Sequence, residues 1–388
     1  MITFLNIFTR NATHVIAPPL ITVVHFISGD LWAGAEVMAW RLLEKLASCP
    51  DVALSVILCN QGRLHDNLVS LKVETILLDE TKLSPFELVT QLLGYVRRKK
   101  PHVLHCHRYK ENLLGYLAGR YAKVPALITT QHGMPEYFQG FAGIKNRIFS
   151  ACNLTALKRY NAVVAVSADI GNALITRHGF HESKIRVIRN GVGMPQEVVR
   201  RSGVRDFVIG SAGRFVPVKD YDLMVRMAAE IVRHIPGVRF VLAGDGPGKM
   251  QLQATIEKLG LAERFELLGA IDDMENFYKG LDIYVNTSVH EGIPMTILEA
   301  MAHGVPVVAC NVGGIGEIIE DGRNGFLVSS RDPRHLAEKC VSLRHDVTLW
   351  EKISVAARQR IETSFSDISM AQQYYTLYKK LLGKSHEK

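Results

Sequence analysis

Residues 281–310 read LDIYVNTSVHEGIPMTILEAMAHGVPVVAC. The β-branched runs at 281–288 and 306–310 predict two strands. Pro294 places the start of an intervening helix near Pro294 or Met295, because proline favours the first helical turn. Strand, helix and strand in this order indicate a βαβ unit, which is the repeating element of a parallel sheet.

The same alternation extends outward from this stretch in both directions. Short apolar strands alternate with amphipathic helical stretches, a pattern that predicts parallel sheets covered by helices on both faces. The predicted strands cover 20–26, 52–59, 73–78, 102–107, 126–132, 161–167, 184–190, 207–214, 239–246, 264–270, 281–288, 306–310 and 325–329. The clearest helical stretches cover 35–47, 86–99, 111–122 and 168–178.

The pattern stops and restarts around residues 191–205, which combine glycine, proline and charge and are predicted to be a linker. The predicted fold class is therefore α/β, with two Rossmann-like, doubly wound parallel-sheet domains facing each other across a cleft. The N-terminal domain covers 1–192 and the C-terminal domain 193–365. The last helix, about 366–388, either closes the second domain or packs back on the first.

The composition is that of a globular protein, with 47% hydrophobic and 22% charged residues in a chain of 388. Polar residues and a Pro-Pro pair interrupt the apolar first 26 residues, which predicts neither a signal peptide nor a membrane-spanning helix. None of the six cysteines forms a CxxC pair. Reduced, mostly buried thiols and a cytoplasmic location are expected.

Charge is distributed unevenly between the two halves. Residues 1–192 carry 22 Lys and Arg against 13 Asp and Glu, a net charge of +9, whereas the remainder carries −1. An anionic partner of the first half is expected: a membrane surface, a phosphorylated small molecule or nucleic acid. The basic, apolar segment 141–160 and the cluster at 97–100 suit an anionic inner membrane, and equally suit a packed helix with a solvated basic face.

Three motifs follow predicted strands, at the edge where open parallel sheets bind ligands. Gly34 opens a helix, whose first N–H groups attract anions. Arg214 and Lys219 are cations suited to a diphosphate. Gly244 and Gly246 form a turn that resembles a phosphate loop but lacks the Walker lysine. Taken alone, each motif is at least as compatible with a tight turn or a solvated surface charge.

Two carboxylates stand out in the stretch quoted first. Glu291 lies in the loop before the helix and is expected to point into the cleft. Glu299 lies inside the helix beside Leu298 and Met301, where a buried carboxylate is costly unless it bonds a ligand hydroxyl. The alternative is an exposed helix face that carries Glu299 into solvent.

Together these motifs resemble the large retaining glycosyltransferase family 4, which has the GT-B fold. The resemblance covers about 20–380. It rests on Gly34-Ala35-Glu36, Gly213-Arg214 with Lys219, Gly244-Asp245-Gly246-Pro247, Glu291-Gly292-Ile293-Pro294, Glu299-Ala300-Met301-Ala302, Gly304-Val305-Pro306-Val307 and Gly313-Gly314. The first-loop double glycine usual in that family is Ala33-Gly34 in this chain.

The resemblance implies a role for each motif residue. The Gly34 backbone meets the donor diphosphate and Glu299 bonds the donor ribose. The residues implied to be catalytic are His132, Arg214, Lys219 and Glu291, with the two cations neutralising the leaving diphosphate. The further donor contacts implied are Gly244, Gly246, Ala270, Gly292, Ile293, Pro294 and Met295.

His105 and His107 lie at a spacing of two, which puts both on one face of a strand, as zinc ligands would be. Members of the resembled family often carry histidine in this strand. The resemblance therefore favours an acceptor-side role for His107 over a metal site.

The implied activity is transfer of a sugar from a nucleoside diphosphate sugar to a hydroxyl of a glycan or lipid-linked acceptor, with retention, in cell-surface polysaccharide or glycolipid synthesis. No metal cofactor is expected, because the cations supply the charge and no Asp-x-Asp set is present. A cytoplasmic enzyme is expected, and a peripheral position on the inner face of the membrane follows only if the basic segment docks there instead of packing as a helix. The alternatives are a GT-B-type sugar-nucleotide epimerase, a phosphorylase of similar shape, which lacks its pyridoxal-binding lysine context here, or a non-catalytic nucleotide- or glycan-binding protein. Nucleic acid is disfavoured because no recognised binding motif is present.

Overall fold

A computed structural model of the chain describes residues 20–133, 141–199 and 206–383, with side chains described throughout except at 141–148. Two parts of the sequence interpretation lie outside the described residues. These are the first 19 residues, which bear on the prediction of no signal peptide, and positions 200–205 of the predicted linker.

The first sheet has seven parallel strands in the order β3-β2-β1-β4-β5-β6-β7. They are β1 Ile21–Ile27, β2 Val52–Leu58, β3 Glu74–Leu77, β4 Val103–His107, β5 Ala126–Gln131, β6 Ala162–Ala165 and β7 Ile185–Val187. The helices between them are α1 Gly34–Ala47, α2 Arg63–Ser70, α3 Pro85–Lys99, α4 Tyr109–Tyr121, α5 Phe141–Leu157 and α6 Ala168–His178. β4 and β5 are buried along their whole length, as strands covered on both faces must be.

The second sheet has six parallel strands in the order β10-β9-β8-β11-β12-β13. They are β8 Val208–Ala212, β9 Arg239–Ala243, β10 Phe265–Gly269, β11 Ile283–Asn286, β12 Val307–Cys310 and β13 Phe326–Val328. The helices that follow in chain order are α7 Tyr221–Ile231, α8 Lys249–Lys258, α9 Met274–Lys279, α10 Met295–Ala302, α11 Ile315–Ile318, α12 Pro333–His345, α13 Val347–Ser364 and α14 Asp367–Gly383.

Each sheet has a point where the strand order reverses, between β1 and β4 in the first and between β8 and β11 in the second. Helices on opposite faces diverge there, which leaves a crevice at the carboxyl ends of the strands. Gly34 follows β1, Lys219 follows β8 and Glu291 follows β11, so the fold places these residues at the two crevices.

The C-terminal helix α14 returns from the second domain to the first. It packs against α1, and Val192 pairs with Ser366 in a short bridge just before the helix begins. The hydroxyls of Tyr374 and Tyr378 reach side chains of β5 and β4. The helix therefore contributes to the core of a domain from which it is far removed in sequence.

The predicted strands and helices are confirmed, with bounds that shift by a few residues. Helix α10 begins at Met295 with Pro294 as its N-cap, as the proline indicated. The helices of the second domain were predicted between its strands without bounds, and the short α9 and α11 lie at such places. All six cysteines, each among the described residues, carry free thiols, four of them buried. None of the helices in the described ranges is long and apolar enough to cross a membrane.

Candidate active site

A cleft of about 1280 Å³ lies between the carboxyl ends of the two sheets. Residues of both domains line it, and they include all but one of the site residues predicted from sequence. The set is Gly34, His132, Arg214, Lys219, Gly244, Gly246, Ala270, Glu291, Gly292, Ile293, Pro294, Met295 and Glu299. Positions separated by more than 260 residues thus meet in one space, and their individual roles stay predictions.

The first domain presents the N-terminal end of α1 to the cleft. Gly34 is the first residue of this helix, and none of the described side chains caps it. The positive end of the helix dipole and the first N–H groups favour an anion here. A Cβ built on Gly34 would approach Met295 Cγ at 3.8 Å. This is an ordinary van der Waals distance, so the contact with Met295 does not by itself require glycine at this position.

Lys219 and Glu291 form an ion pair in the cleft. Lys219 Nζ donates to Glu291 Oε1 at 2.5 Å, and Ser288 Oγ donates to the same oxygen at 2.6 Å. The two charged side chains are only 21% and 13% exposed, so the pair is weakly screened by solvent. Arg214, in contrast, is exposed on the cleft wall. The sequence indicated a cation and a carboxylate, and the structure shows that they hold each other in place.

Glu299 has a protein partner as well as access to the cleft. Tyr278, on α9, donates its hydroxyl to Glu299 Oε2 at 2.8 Å. Burial raises the pKa of Glu299, while the Tyr278 hydrogen bond and the nearby charge of Arg41 act to lower it. The expectation that only a ligand hydroxyl would satisfy this carboxylate is corrected, because the tyrosine already satisfies one of its oxygens.

The glycines at 244 and 246 are explained by packing between two loops. Their φ angles are +135° and +155°. A Cβ on Gly244 would lie 1.9 Å from the carbonyl oxygen of Gly213, and one on Gly246 would lie 2.7 Å from the Phe215 nitrogen. Glycine is thus required here to let this loop pack against the loop that carries Arg214. A tight turn is sufficient to explain the motif, although both residues line the cleft.

His132 follows β5 and lines the cleft, and its buried Nδ1 has no hydrogen-bond partner in the described part of the chain. Its Nε2 lies 3.2 Å from His107 Nδ1. His107 itself is only 1% exposed and lies behind His132, outside the cleft lining. The predicted acceptor-side position of His107 is therefore corrected. The sheet buries its ring, and the other ring nitrogen is bonded to His25.

One contact across the cleft was not foreseen from sequence. Arg63, at the start of α2, donates to Asp272 Oδ1 at 2.8 Å, and its guanidinium lies over the Trp32 ring. Asp272 follows β10 in the other domain. No periodic pattern links positions 209 residues apart, so only the folded arrangement of both domains reveals this pair.

The sequence matches known families over both domains. Residues 32–194 match Glycosyltransferase Family 4, and residues 206–346 match Glycosyl transferases group 1. The chain is 24% identical over 333 residues to the UDP-Gal:alpha-D-GlcNAc-diphosphoundecaprenol alpha-1,3-galactosyltransferase of Escherichia coli, covering 81% of this chain and 84% of that protein. It is 24% identical over 328 residues to the capsular polysaccharide biosynthesis glycosyltransferase CapM of Staphylococcus aureus, covering 80% and 85%.

A solved structure shares the architecture. Anabaena HepE in complex with UDP-glucose matches with a TM-score of 0.81 at 21% identity, over 93% of this chain and all of that one. At that identity the likeness establishes the fold, which is the GT-B arrangement of two parallel-sheet domains. The family models match both domains, and the curated relatives described above are also glycosyltransferases. This chain is therefore a glycosyltransferase that belongs to family 4.

Proposed function

We propose that the protein transfers a sugar from a nucleoside diphosphate sugar to a hydroxyl of a glycan or lipid-linked acceptor, with retention at the anomeric carbon, in polysaccharide or glycolipid synthesis. One observation carries the proposal: Arg214 and Lys219 share a cleft with Glu291 and Glu299 at the reversal points of two facing sheets. HepE was solved with UDP-glucose, which favours a uridine nucleotide as the donor. The name of the Escherichia coli relative specifies a diphosphoundecaprenol-linked sugar, which favours a lipid-linked acceptor.

In the proposed step, the bond between the anomeric carbon and the β-phosphate oxygen breaks, and the acceptor oxygen bonds the anomeric carbon on the same face. Positive charge develops at the sugar and negative charge on the departing diphosphate. Arg214, Lys219 and the N-terminal end of α1 stabilise the departing charge. The acceptor proton passes to the departing phosphate, so no separate protein base is required.

The Lys219–Glu291 pair suggests how donor binding prepares the site. Without a donor, Glu291 balances the charge of Lys219. A diphosphate brings more negative charge to the same ammonium group and weakens its hold on the carboxylate. Glu291 then becomes available to accept hydrogen bonds from sugar hydroxyls. Pairing thus keeps two buried charges compensated until a ligand replaces one partner.

We also propose that transfer needs no metal ion, since protein cations supply the charge that a divalent ion would bring to the diphosphate. The rate of sugar transfer should be the same before and after treatment with EDTA. Complete loss of transfer, restored by Mn²⁺ or Mg²⁺, would contradict this.

The donor is tested by thermal shift and sugar transfer with UDP, GDP and ADP sugars. A uridine diphosphate sugar should raise the melting temperature most. Glu299→Gln, which keeps the shape but removes the charge, should weaken that shift, whereas Glu320→Gln, at an exposed pair with Arg323, should not. If no nucleotide sugar raises the melting temperature or loses its sugar, the proposed function is wrong. The anomeric configuration of the product, read by NMR, tests retention.

We propose that the enzyme works in the cytoplasm, peripherally on the inner face of the membrane. The support is the basic first domain, with its net charge of +9. A second support is a groove at the start of β5, β6 and β7. Among the described residues, no acidic side chain lines this groove, and its basic side chains are Arg120, Lys123, Lys158, Arg159 and Lys184. Such a groove attracts anionic lipid head groups.

A further inference from the structure

Three buried histidines lie behind His132: His25 on β1, and His105 and His107 on β4. Each is at most 1% exposed. One ring nitrogen from each histidine lies within 4.8 Å of a ring nitrogen of the other two, which is close enough for the three to bind one metal ion. Among the described residues, no other group of histidine, cysteine, aspartate or glutamate side chains has this spacing. The transfer step proposed above makes no use of them.

Hydrogen bonds already occupy both nitrogens of all three rings. His25 Nδ1 lies 3.1 Å from His107 Nε2, and His25 Nε2 lies 3.3 Å from the Tyr378 hydroxyl. His105 Nδ1 lies 2.7 Å from the same hydroxyl and its Nε2 lies 2.8 Å from Thr130 Oγ1. A zinc ion would need the ring lone pairs aimed at a single point about 2.0–2.1 Å away. The observed bonds aim them elsewhere, which favours a hydrogen-bonded chain over a metal centre.

The chain is continuous from the cleft to the C-terminal helix. His132 bonds His107 at 3.2 Å, and at the far end Thr130 Oγ1 lies 2.9 Å from the Tyr374 hydroxyl. In order from the helix to the cleft, its members are Tyr374, Thr130, His105, Tyr378, His25, His107 and His132. Both tyrosines belong to α14, and both are fully buried.

Every ring in the chain is neutral. Burial lowers the pKa of His25 and of His132 to about 3, with the charge of Arg108 adding to the effect at His132. Burial and mutual repulsion hold the pKa values of His105 and His107 well below their ordinary range. A neutral imidazole has one N–H donor and one acceptor nitrogen, and a hydroxyl has one proton. Each member of the chain therefore has a single proton to donate.

Counting these protons sets the direction of the chain. If Tyr374 donates to Thr130, every following member can donate to the next, and the proton of His132 is left on Nδ1. In the reverse direction, Tyr374 receives a proton from Thr130 and its own hydroxyl hydrogen has no acceptor in the described part of the chain. Either direction leaves one buried donor without a protein acceptor among the described residues, the Nδ1–H of His132 or the hydroxyl of Tyr374. His132 lines the cleft, where a ligand oxygen can accept its proton, whereas Tyr374 is fully buried. The direction from α14 to the cleft is the favoured one.

We infer that this buried chain holds His132 in the neutral tautomer protonated on Nδ1, so that it presents an N–H donor to a substrate oxygen in the cleft. Tyr378 and Tyr374 of α14 are then positioning residues for the transfer. The inference rests on the proposed function, because it takes the cleft as the sugar-transfer site. It also explains why His132 Nδ1 has no protein partner among the described residues: that position is left for the substrate.

The tautomer is measured directly in the full chain. Histidine labelled with ¹⁵N gives distinct NMR shifts and couplings for the two ring nitrogens, and His132→Gln assigns the signals. We expect the proton of His132 on Nδ1, with no charged form at neutral pH. A ring protonated mainly on Nε2 would overturn the inference. This measurement needs no activity, so it stands even if no sugar donor is found.

A matched pair of variants on α14 tests the positioning role. Tyr378→Phe removes the hydroxyl that donates to His25 Nε2, and Tyr375→Phe removes a neighbouring hydroxyl that bonds Asp51 outside the chain. Tyr378→Phe should lower the share of the Nδ1 tautomer and reduce kcat about threefold to tenfold with little change in KM, as expected for one lost hydrogen bond. Tyr375→Phe should leave both unchanged.

Coupling to His132 separates positioning from a general loss of packing. In the His132→Gln background, Tyr378→Phe should cause no further fall in kcat, because its effect acts through the absent ring. An equal fall in both backgrounds, or the same tautomer in Tyr378→Phe and wild type with unchanged kcat, would overturn the positioning role. Addition of zinc should leave the histidine signals in place, and coordination shifts at His25, His105 and His107 would favour the metal centre instead.

Discussion

At the scale of single residues, the cleft holds its charged groups with protein partners before a ligand arrives. Lys219 holds Glu291, and Tyr278 holds Glu299. Each partner satisfies part of the hydrogen-bonding capacity of a carboxylate that burial would otherwise penalise. A donor can therefore bind by exchanging one partner for another, rather than by first creating the geometry.

Removing either donor cation should slow transfer by a large factor. Arg214→Ala and Lys219→Ala are each expected to lower kcat on the order of 100-fold, because charge on the departing diphosphate loses a stabilising group. Arg226→Ala is the control, since this arginine pairs with Asp222 on α7, and its side chain is half exposed. Wild-type rates in both cleft variants would remove these cations from the site.

Tyr278→Phe should shift the pH dependence of donor binding. The tyrosine hydroxyl bonds the charged form of Glu299 and lowers its pKa, so the variant carboxylate has a higher pKa and gains its proton at higher pH. The donor KM should then begin to rise at a higher pH as the solution is acidified. Tyr284→Phe, whose hydroxyl bonds the Ala212 backbone, is the control. Identical pH profiles in wild type and Tyr278→Phe would show that Glu299 does not act as a charged acceptor for the donor.

Sequence patterns located these residues but not their partners. The helix start at Pro294 and the apolar neighbours of Glu299 are local features, and both were predictable. Tyr278 lies 21 residues before Glu299 in the chain, and only the packing of α9 beside α10 brings its hydroxyl there. In the same way, a period of two put His105 and His107 on one face, but the sheet decides that this face is turned toward α14.

At the scale of elements, α5 connects two different surfaces of the first domain. Phe149 and Ser150 line the cleft, and Lys158 and Arg159, just over two helical turns later, line the basic groove. The basic segment predicted at 141–160 therefore contributes to two surfaces, the cleft and the basic groove. The side chains of Lys145 and Arg147 lie outside the described ones, whereas Lys158 and Arg159 are exposed beside further cations.

Neutralising the groove should weaken binding to anionic membranes. Lys158→Gln with Arg159→Gln removes two charges worth up to about 1 kcal/mol each near an anionic surface, so affinity for phosphatidylserine vesicles should fall about tenfold. The control is the double variant Arg226→Gln with Arg233→Gln on the second domain, which loses the same two positive charges. Raising salt toward 1 M should release the wild-type protein, because the Debye length falls to about 3 Å. Equal binding by the two double variants, or no binding by wild type, would make α5 a structural helix with a solvated basic face.

The order of the elements was largely predictable, because buried parallel strands show as continuous apolar runs between amphipathic helices. The destination of α14 was not. Its sequence suits packing on either domain, and the deciding contacts are the tyrosine hydroxyls that reach His105 and Thr130. Those contacts join positions more than 240 residues apart, and local periodicity carries no information about them.

At the scale of the whole molecule, two polar contacts that join the domains differ in their exposure to solvent. Glu317, on α11, accepts from the N–H groups of Ala168 and Asp169 at the start of α6 and from Arg189 Nε. Its side chain is 16% exposed. The Arg63–Asp272 pair is 40% and 98% exposed. Screening by water makes the second pair weak, whereas a carboxylate at a helix N-terminus gains from both the dipole and the amides.

Double-mutant cycles should rank the two contacts in that order. With kcat/KM for the donor as the readout, the coupling between Arg63→Ala and Asp272→Ala should stay below about 1 kcal/mol, the range of exposed ion pairs. The coupling between Glu317→Ala and Arg189→Ala should exceed it, because the Glu317 carboxylate is only 16% exposed and is therefore less screened by water than that of Asp272, which is 98% exposed. A double-mutant cycle subtracts the effect of each single variant on kcat/KM. Any separate effect that Arg63 or Asp272 has on the donor as part of the cleft lining is thereby removed. An Arg63–Asp272 coupling equal to or larger than that of Glu317–Arg189 would mean that the exposed pair, and not the α6 contact, governs how the two domains are held together during transfer.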